Sequence, residues 1–184
     1  MDTVTIIVFT VGTAVIAAVS RRSLLHPGSH GFYRFFAWEG MLLLSLLNGQ
    51  FWIDDPASLH QIISWLLLTA SLYPVISAVI LLRIVGKPGT GIAPGADFAF
   101  EKTTHLVTSG VYNYIRHPMY ASLLYLAWGI FFKNISPVTF GIVVIVSVLL
   151  YITAKTEEKE DLSHFGEGYR DYAARTKMFV PFLW

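Results

Sequence analysis

Arg116, His117 and Pro118 stand directly before a short apolar run that ends at Phe132, and further along the chain Glu157 and Glu158 form an acidic pair. An arginine supplies a permanent cation with a planar fork that matches a carboxylate. The glutamates can hold a cation or accept a proton, and a histidine can do either. Tyrosines cluster around both stretches: Tyr112, Tyr114, Tyr120 and Tyr125 near the first, Tyr151, Tyr169 and Tyr172 near the second. Together these types describe an ion-binding pocket with aromatic walls, provided the fold brings the two stretches together.

The elements that must position them are set by composition. Apolar residues make up 54% of the chain and charged residues 14%, and the mean hydropathy is +0.58, whereas a soluble domain carries roughly a quarter charged residues. The sequence predicts an all-α integral membrane protein with five transmembrane helices: Thr3 to Val19, Phe32 to Ile53, Ala57 to Ile84, Pro118 to Phe132, and Pro137 to about Thr156. Spans two and three, joined only by Asp54, Asp55 and Pro56, form an antiparallel hairpin. Ser136 followed by Pro137 reads as a helix start, with serine as N-cap and proline at the first helical position, and His117 with Pro118 has the same shape. The glycine- and proline-rich KPGTGIAPGAD after Gly86 reads as a loop. No repeat divides the chain, so it is one membrane domain: three N-terminal spans over 1–86, a cytoplasmic loop over 87–117, a helical hairpin over 118–156 and a cytoplasmic C-terminal segment over 157–184.

Lysine and arginine set the orientation. Of the thirteen, all but Lys133 fall in segments that five spans place on one side, which puts the N-terminus outside and the C-terminus in the cytoplasm. The N-terminus is not read as a signal peptide, because its positive charges follow the apolar stretch instead of preceding it. Without cysteine there is no disulfide framework, thiolate metal site or cysteine nucleophile. A formal net charge of +1 gives no case for a nucleic-acid partner.

Counting outward from the turn between spans four and five places Arg116 level with about Thr153, and Glu157 about one turn further out. Arg116 can therefore meet the Glu157/Glu158 pair in a pocket slightly inside the headgroup level, facing the cytoplasm. Each residue alone has an ordinary explanation: boundary arginines snorkel, interfacial tyrosines form belts, and an acidic run is a solvated helix end. His105 and His117 have no third ligand at helical spacing, so no metal is expected. Gly86, Gly89 and Gly91 follow a membrane helix where a dinucleotide fingerprint requires a strand. Glu39 is an intramembrane carboxylate, either a functional group or one near enough the helix end to reach water.

The joint pattern goes further. HLVTSGVYNYIRHPMY from His105 to Tyr120, then Glu157 and Glu158, then FGEGYRDY from Phe165 to Tyr172, resembles the signature of the isoprenylcysteine carboxyl methyltransferase family, much of which the membrane phospholipid N-methyltransferases share. The resemblance lies in the chain from His105 on; the first three spans resemble the family only in topology. Asp161 departs from it, standing where relatives usually carry an apolar residue. The resemblance implies methyl transfer from S-adenosylmethionine to a lipid-embedded acceptor, with Arg116 and Glu157 catalytic. It places His105, Leu106, Val107, Gly110, Val111, Tyr112, His117, Pro118, Tyr120, Glu158, Tyr169 and Tyr172 at the cofactor, where Glu158 could hold the α-ammonium. A carboxylate acceptor, as in a prenylcysteine, needs its charge held and aimed, which an arginine does. An amine acceptor of a phospholipid or small amphiphile would need a base. A lipid-binding or scaffolding protein with a structural ion pair is the non-enzymatic alternative. Membrane lipids and a lipidic or prenylated small molecule are the expected partners, and the small residues of VGTAVIAAVS would allow a homo-oligomer.

Overall fold

In lipid a segment must satisfy its backbone polar groups internally, and helices do so without a partner. The computed structural model describes residues 3–87, 89 and 96–182, and among these the chain is helical: α1 (Thr3–Val19), α2 (Arg21–Leu24), α3 (His30–Leu47), α4 (Leu59–Ile84), α5 (Pro118–Phe131), α6 (Pro137–Phe165) and α7 (Glu167–Arg175). No strand forms among the described residues; Ile115 and Lys177 make one isolated parallel bridge. Residues 88 and 90–95 of the glycine- and proline-rich loop lie outside the described residues.

All five predicted spans fall on helices, with two boundaries corrected. The second helix ends at Leu47, not Ile53, because Asn48 turns the chain into a 3-10 turn over Gly49–Phe51 and spends its side chain across the bundle, donating from Nδ2 to the Ile130 carbonyl at 2.7 Å. The connection to α4 is correspondingly longer than Asp54–Pro56. The fifth helix does not stop near Thr156 but continues to Phe165, so the acidic residues from Glu157 on extend the apolar span as a helix beyond it. Gly166, at φ +60°, ends that helix in a conformation that disfavours side chains and turns the chain into α7. Ser136 caps α6 as predicted, accepting from the Thr139 N–H at 3.2 Å. His117 does not cap α5 with its ring.

Helices α4 and α6, with 26 and 29 residues, are long and apolar enough to cross a membrane. Neither is the core helix of a soluble protein, since only 17% and 33% of their most apolar windows are buried. Ile62, Leu66, Ile76, Ile145 and Val148 point outward, an apolar surface suited to lipid and not to water. The protein is a membrane protein. Two shorter apolar helices, α1 and α5, accompany them; the 14 residues of α5 rise only about 21 Å.

The heaviest packing is α4 on α5 and α3 on α6. Polar side chains inside the bundle are spent on helix ends: Ser64 Oγ donates to the Gly129 carbonyl at 2.7 Å and Gln61 Nε2 to the Phe51 carbonyl at 2.8 Å. Lys133 is 1% exposed. Its ammonium donates to Gln61 Oε1 at 2.9 Å and lies 3.5 Å from the Trp65 ring centroid, a cation–π contact in place of a counter-ion.

Arg34 of α3 is also buried. It donates to Asp97 Oδ2 at 2.9 Å and to Glu101, with its guanidinium carbon 5.1 and 5.7 Å from the ring centroids of Trp38 and Phe98. Asp97 in turn accepts from Ser23 Oγ at 2.7 Å, so the guanidinium fastens residues 97–101 to α3 and the Asp97 carboxylate fastens them to α2. Removing one partner of a buried ion pair strands the others. Arg34→Met is expected to lower unfolding free energy in detergent by about 3–5 kcal/mol. The triple variant that also carries Asp97→Asn and Glu101→Gln recovers most of that loss, as read by denaturant-induced loss of tryptophan fluorescence.

Candidate functional site

The site is built where the start of α5 meets the end of the apolar part of α6. Residues 114–117 have no helix to hold them, and a later segment does so: the N–H groups of Arg116 and His117 donate to the carbonyls of Lys177 and Met178 at 2.9 and 3.2 Å, and the Lys177 N–H donates to the Tyr114 carbonyl at 3.1 Å. Phe179, 1% exposed, packs its ring 6.3 Å from that of His117. This backbone pairing fixes the directions in which both side chains leave.

Both reach α6. Arg116 Nε donates to Glu158 Oε1 at 2.5 Å and Nη1 to the Thr176 carbonyl at 2.7 Å; Nη2 has no hydrogen bond to any described residue. His117 Nδ1 lies 3.1 Å from Glu157 Oε2 and Nε2 lies 3.5 Å from Glu158 Oε1. Lys155 adds a third cation to Glu158 at 2.8 Å. The acidic pair therefore divides, Glu158 to Arg116 and Glu157 to His117, where the sequence had treated the two as one partner for the arginine.

Electrostatics follow from this pairing. Burial resists charging the His117 imidazole, but the Glu157 carboxylate, which accepts from Nδ1, and the Glu158 carboxylate beside Nε2 more than offset it and push its pKa up to about 9. Burial alone would raise Glu157; the His117 hydrogen bond and the positive fields of His30, His117 and Arg34 bring it down instead. Glu158 is held below the usual carboxylate range in the same way, burial being outweighed by His117, Lys155 and Arg116. The ion pairs are thus charged at neutral pH.

Two adjoining chambers open beside these pairs. The inner, of about 90 Å³, is lined by Leu106, Val107, Tyr112, Arg116, His117, Pro118, Tyr120 and Glu157, together with Leu82, Glu101, Thr103, Met119, Asp161 and Phe165. The outer, of about 620 Å³, shares Glu101, Thr103, Glu157, Asp161 and Phe165 and adds His30, Lys102, Lys159, Glu160 and His164. Small-molecule sites commonly fall between about 300 and 1,000 Å³.

Not every predicted site residue lines them. His105 is exposed, its Nδ1 3.0 Å from Thr104 Oγ1. Gly110 sits at φ +61° with its Cα against Leu81, where a Cβ would come within 2.8 Å of a methyl group. Val111 is buried behind the wall. Glu158 is occupied by its cations. Tyr172 is buried and donates from its hydroxyl to the Tyr112 carbonyl at 2.8 Å, so α7 braces the 3-10 turn that carries Tyr112. Tyr169, also buried, leaves its hydroxyl without a hydrogen bond among the described residues. Of the other tyrosines, Tyr114 and Tyr151 are exposed.

Sequence reasoning missed Glu101, Thr103 and His30, which reach the site from other elements, and Glu160 on α6 itself, and it treated Asp161 only as a departure. His30 begins α3, and its Nδ1 pairs with Glu160 at 2.5 Å. Ser29 ahead of it is the one local signal, an N-cap that accepts from the Phe32 N–H at 3.3 Å and fixes where that helix begins. Among the described residues no cluster of three metal-ligating side chains occurs.

Comparison with known proteins places this geometry in context. Residues 59–168 match the family described as phospholipid methyltransferase. Protein-S-isoprenylcysteine O-methyltransferase of Mus musculus is 32% identical over 123 residues, 66% of this chain and 43% of that protein. Its Rattus norvegicus counterpart is 41% identical over 86 residues, 45% of this chain and 30% of the other. Methanethiol S-methyltransferase of Crocosphaera subtropica is 29% identical over 76 residues, 41% and 29% of the two chains. The alignments span less than half the length of these relatives, and no solved structure matches the chain. The family match runs from α4 through α5 and α6 and takes in Arg116, His117, Glu157 and Glu158; over more than half of its length, the chain belongs to the phospholipid methyltransferase family, with isoprenylcysteine O-methyltransferases among its relatives.

Proposed function

We propose that this protein is an S-adenosylmethionine-dependent methyltransferase acting on a lipid-embedded acceptor, and that the acceptor is a prenylcysteine-like carboxylate. It works at the cytoplasmic rim of a five-span membrane domain whose N-terminus faces outward. The observation that carries this reading is the convergence of Arg116, His117 and Glu157 on a cavity at the start of the short α5, adjoining a larger chamber. The activities for which the relatives are named, O-methylation of isoprenylcysteine and S-methylation of methanethiol, support methyl transfer to a small or lipidic acceptor.

The residues present suit the methyl donor. Tyr112, Tyr120 and Phe165 offer aromatic faces to a cationic sulfur, and the outer chamber is of a size for a nucleoside. S-adenosylmethionine supplies an electrophilic methyl group bonded to that sulfur. The chain's contribution is to hold and aim the acceptor, since much of the acceleration of a displacement comes from alignment. Glu158 and the Thr176 carbonyl fix the Arg116 guanidinium by two of its nitrogens, leaving Nη2 to take an acceptor carboxylate oxygen by a charge-assisted hydrogen bond. A shallow α5 would bring that group within reach of both the lipid and the cytosol.

An acceptor carboxylate needs no base. An amine would have to lose a proton, and the catalytic candidate Glu157 is poorly suited to take it: His117 already holds that carboxylate and keeps its proton affinity low. This favours the carboxylate reading over N-methylation.

In lipid nanodiscs with methyl-tritiated S-adenosylmethionine, label is expected on a prenylcysteine analogue as a base-labile ester. Label on phosphatidylethanolamine alone overturns the carboxylate assignment. Label on neither acceptor, with no calorimetric binding of S-adenosylhomocysteine to folded protein, overturns the enzyme reading. Arg116→Lys keeps the charge but cannot bridge Glu158, the Thr176 carbonyl and an acceptor together. Its turnover is expected to fall about 100-fold while S-adenosylhomocysteine still binds, and full turnover in that variant would remove Arg116 from its role.

A further inference from the structure

Four carboxylates line the two chambers, and three already hold cations. Glu101 takes Arg34, Glu157 takes His117 and Glu160 takes His30. Asp161 is the fourth. It lines both chambers, and no described residue donates a hydrogen bond to it. On α6 it stands one turn beyond Glu157, on the same face, so it marks the junction where the inner chamber meets the outer. A carboxylate left without a donor in a confined space is costly, and a cationic ligand with N–H groups is the chemistry that relieves it.

We propose that Asp161 receives the α-ammonium group of the methyl donor, and of the demethylated product, at the junction of the two chambers. The assignment rests on the reading above that S-adenosylmethionine is the donor, and it replaces Glu158 in that role, because Glu158 lies outside both chambers and is saturated by Arg116 and Lys155. An ammonium fits better than the sulfonium: open carboxylate oxygens accept N–H hydrogen bonds, and a sulfonium has none to give. The ammonium then sits beyond the aromatic wall of Tyr112, Tyr120 and Phe165, away from Arg116 and the acceptor.

Protons are linked to this contact. Burial, with the Glu157 charge next and Glu160 adding, pushes the Asp161 carboxyl up to about 7, while His117 before α5 and His30 at the start of α3 oppose the shift. Glu101 and Lys102 line the same space, and the phenols of Tyr112, Tyr169 and Tyr172 face the carboxyl from the 3-10 turn and α7. A raised acid is protonated below its folded pKa and must ionise to hold an ammonium. Ligand affinity therefore rises with pH, by about tenfold from pH 6 to pH 8.

The experiment is calorimetric titration of the detergent-solubilised full chain with S-adenosylhomocysteine and with its des-amino analogue, which lacks the α-amino group. Wild type binds the former more tightly, with the stated rise in affinity with pH. Asp161→Asn weakens S-adenosylhomocysteine about tenfold or more at pH 8, flattens its pH dependence and leaves the des-amino analogue within about twofold of wild type, closing a thermodynamic cycle on this one contact. A merely structural role would weaken both ligands alike. Equal loss for the two ligands overturns the proposal, as does unchanged S-adenosylhomocysteine binding; if turnover alone then falls, Asp161 acts on protons in the reaction instead. No binding of either ligand to folded wild type overturns the donor reading and this assignment together.

Discussion

Charge placed at the edge of a hydrocarbon layer cannot be left unmatched, and the crossing of two cations with two carboxylates is the constraint on which this molecule turns. Arg116 and His117 leave the chain side by side; Glu158 and Glu157 receive them side by side. Each interaction fixes one helix against another: the truncated α5 cannot slide along α6 without breaking both pairs. Because the pairs are partly buried, salt and solvent screen them less than a surface bridge. They set the depth of α5 and, with it, the level at which a lipid-bound group and a water-borne one could meet.

The same device recurs at other places in the fold. Arg34 gathers Asp97 and Glu101 where α3 leaves the apolar layer, and Glu160 takes His30 from the first turn of that helix. At the other end of α5, Lys133 pairs with no acid among the described residues and lies over Trp65. The pairs made by Arg116, His117, Arg34 and His30 all converge on the chambers, so one wall of the larger chamber is made of residues whose first task is to hold helices together. That double use explains why Glu101 and Glu160 line the space while being unavailable to a ligand. Asp161 differs in pairing with no cation among the described residues.

Much of this was legible in the sequence. Apolar runs bounded by prolines and charges gave the helices, because a helix in lipid has few alternatives and Ser136–Pro137 is a start signal that local chemistry alone makes effective. The meeting of Arg116 with the acidic pair followed from hairpin register. What stayed hidden was tertiary. Asn48 reads as one polar residue in an apolar stretch until its amide is seen to serve Ile130, which is why α3 ends early. His105, adjacent to the motif, faces outward, whereas His30, far from it in sequence, lines the outer chamber, since ring direction depends on packing that spacing cannot report. The division of Glu157 from Glu158 needed side-chain geometry: neighbours on a helix point about 100° apart.

The backbone that orients Arg116 and His117 is paired with Lys177 and Met178, and the guanidinium itself bonds a carbonyl sixty positions later. During synthesis every helix of the bundle can therefore be inserted before the geometry of this centre exists. The nascent protein passes through a stage in which its cations and acids are present but not yet aimed, and completion waits on the arrival of a few late residues at the membrane surface. Timing of assembly, and not only final stability, is thus written into that short stretch of pairing.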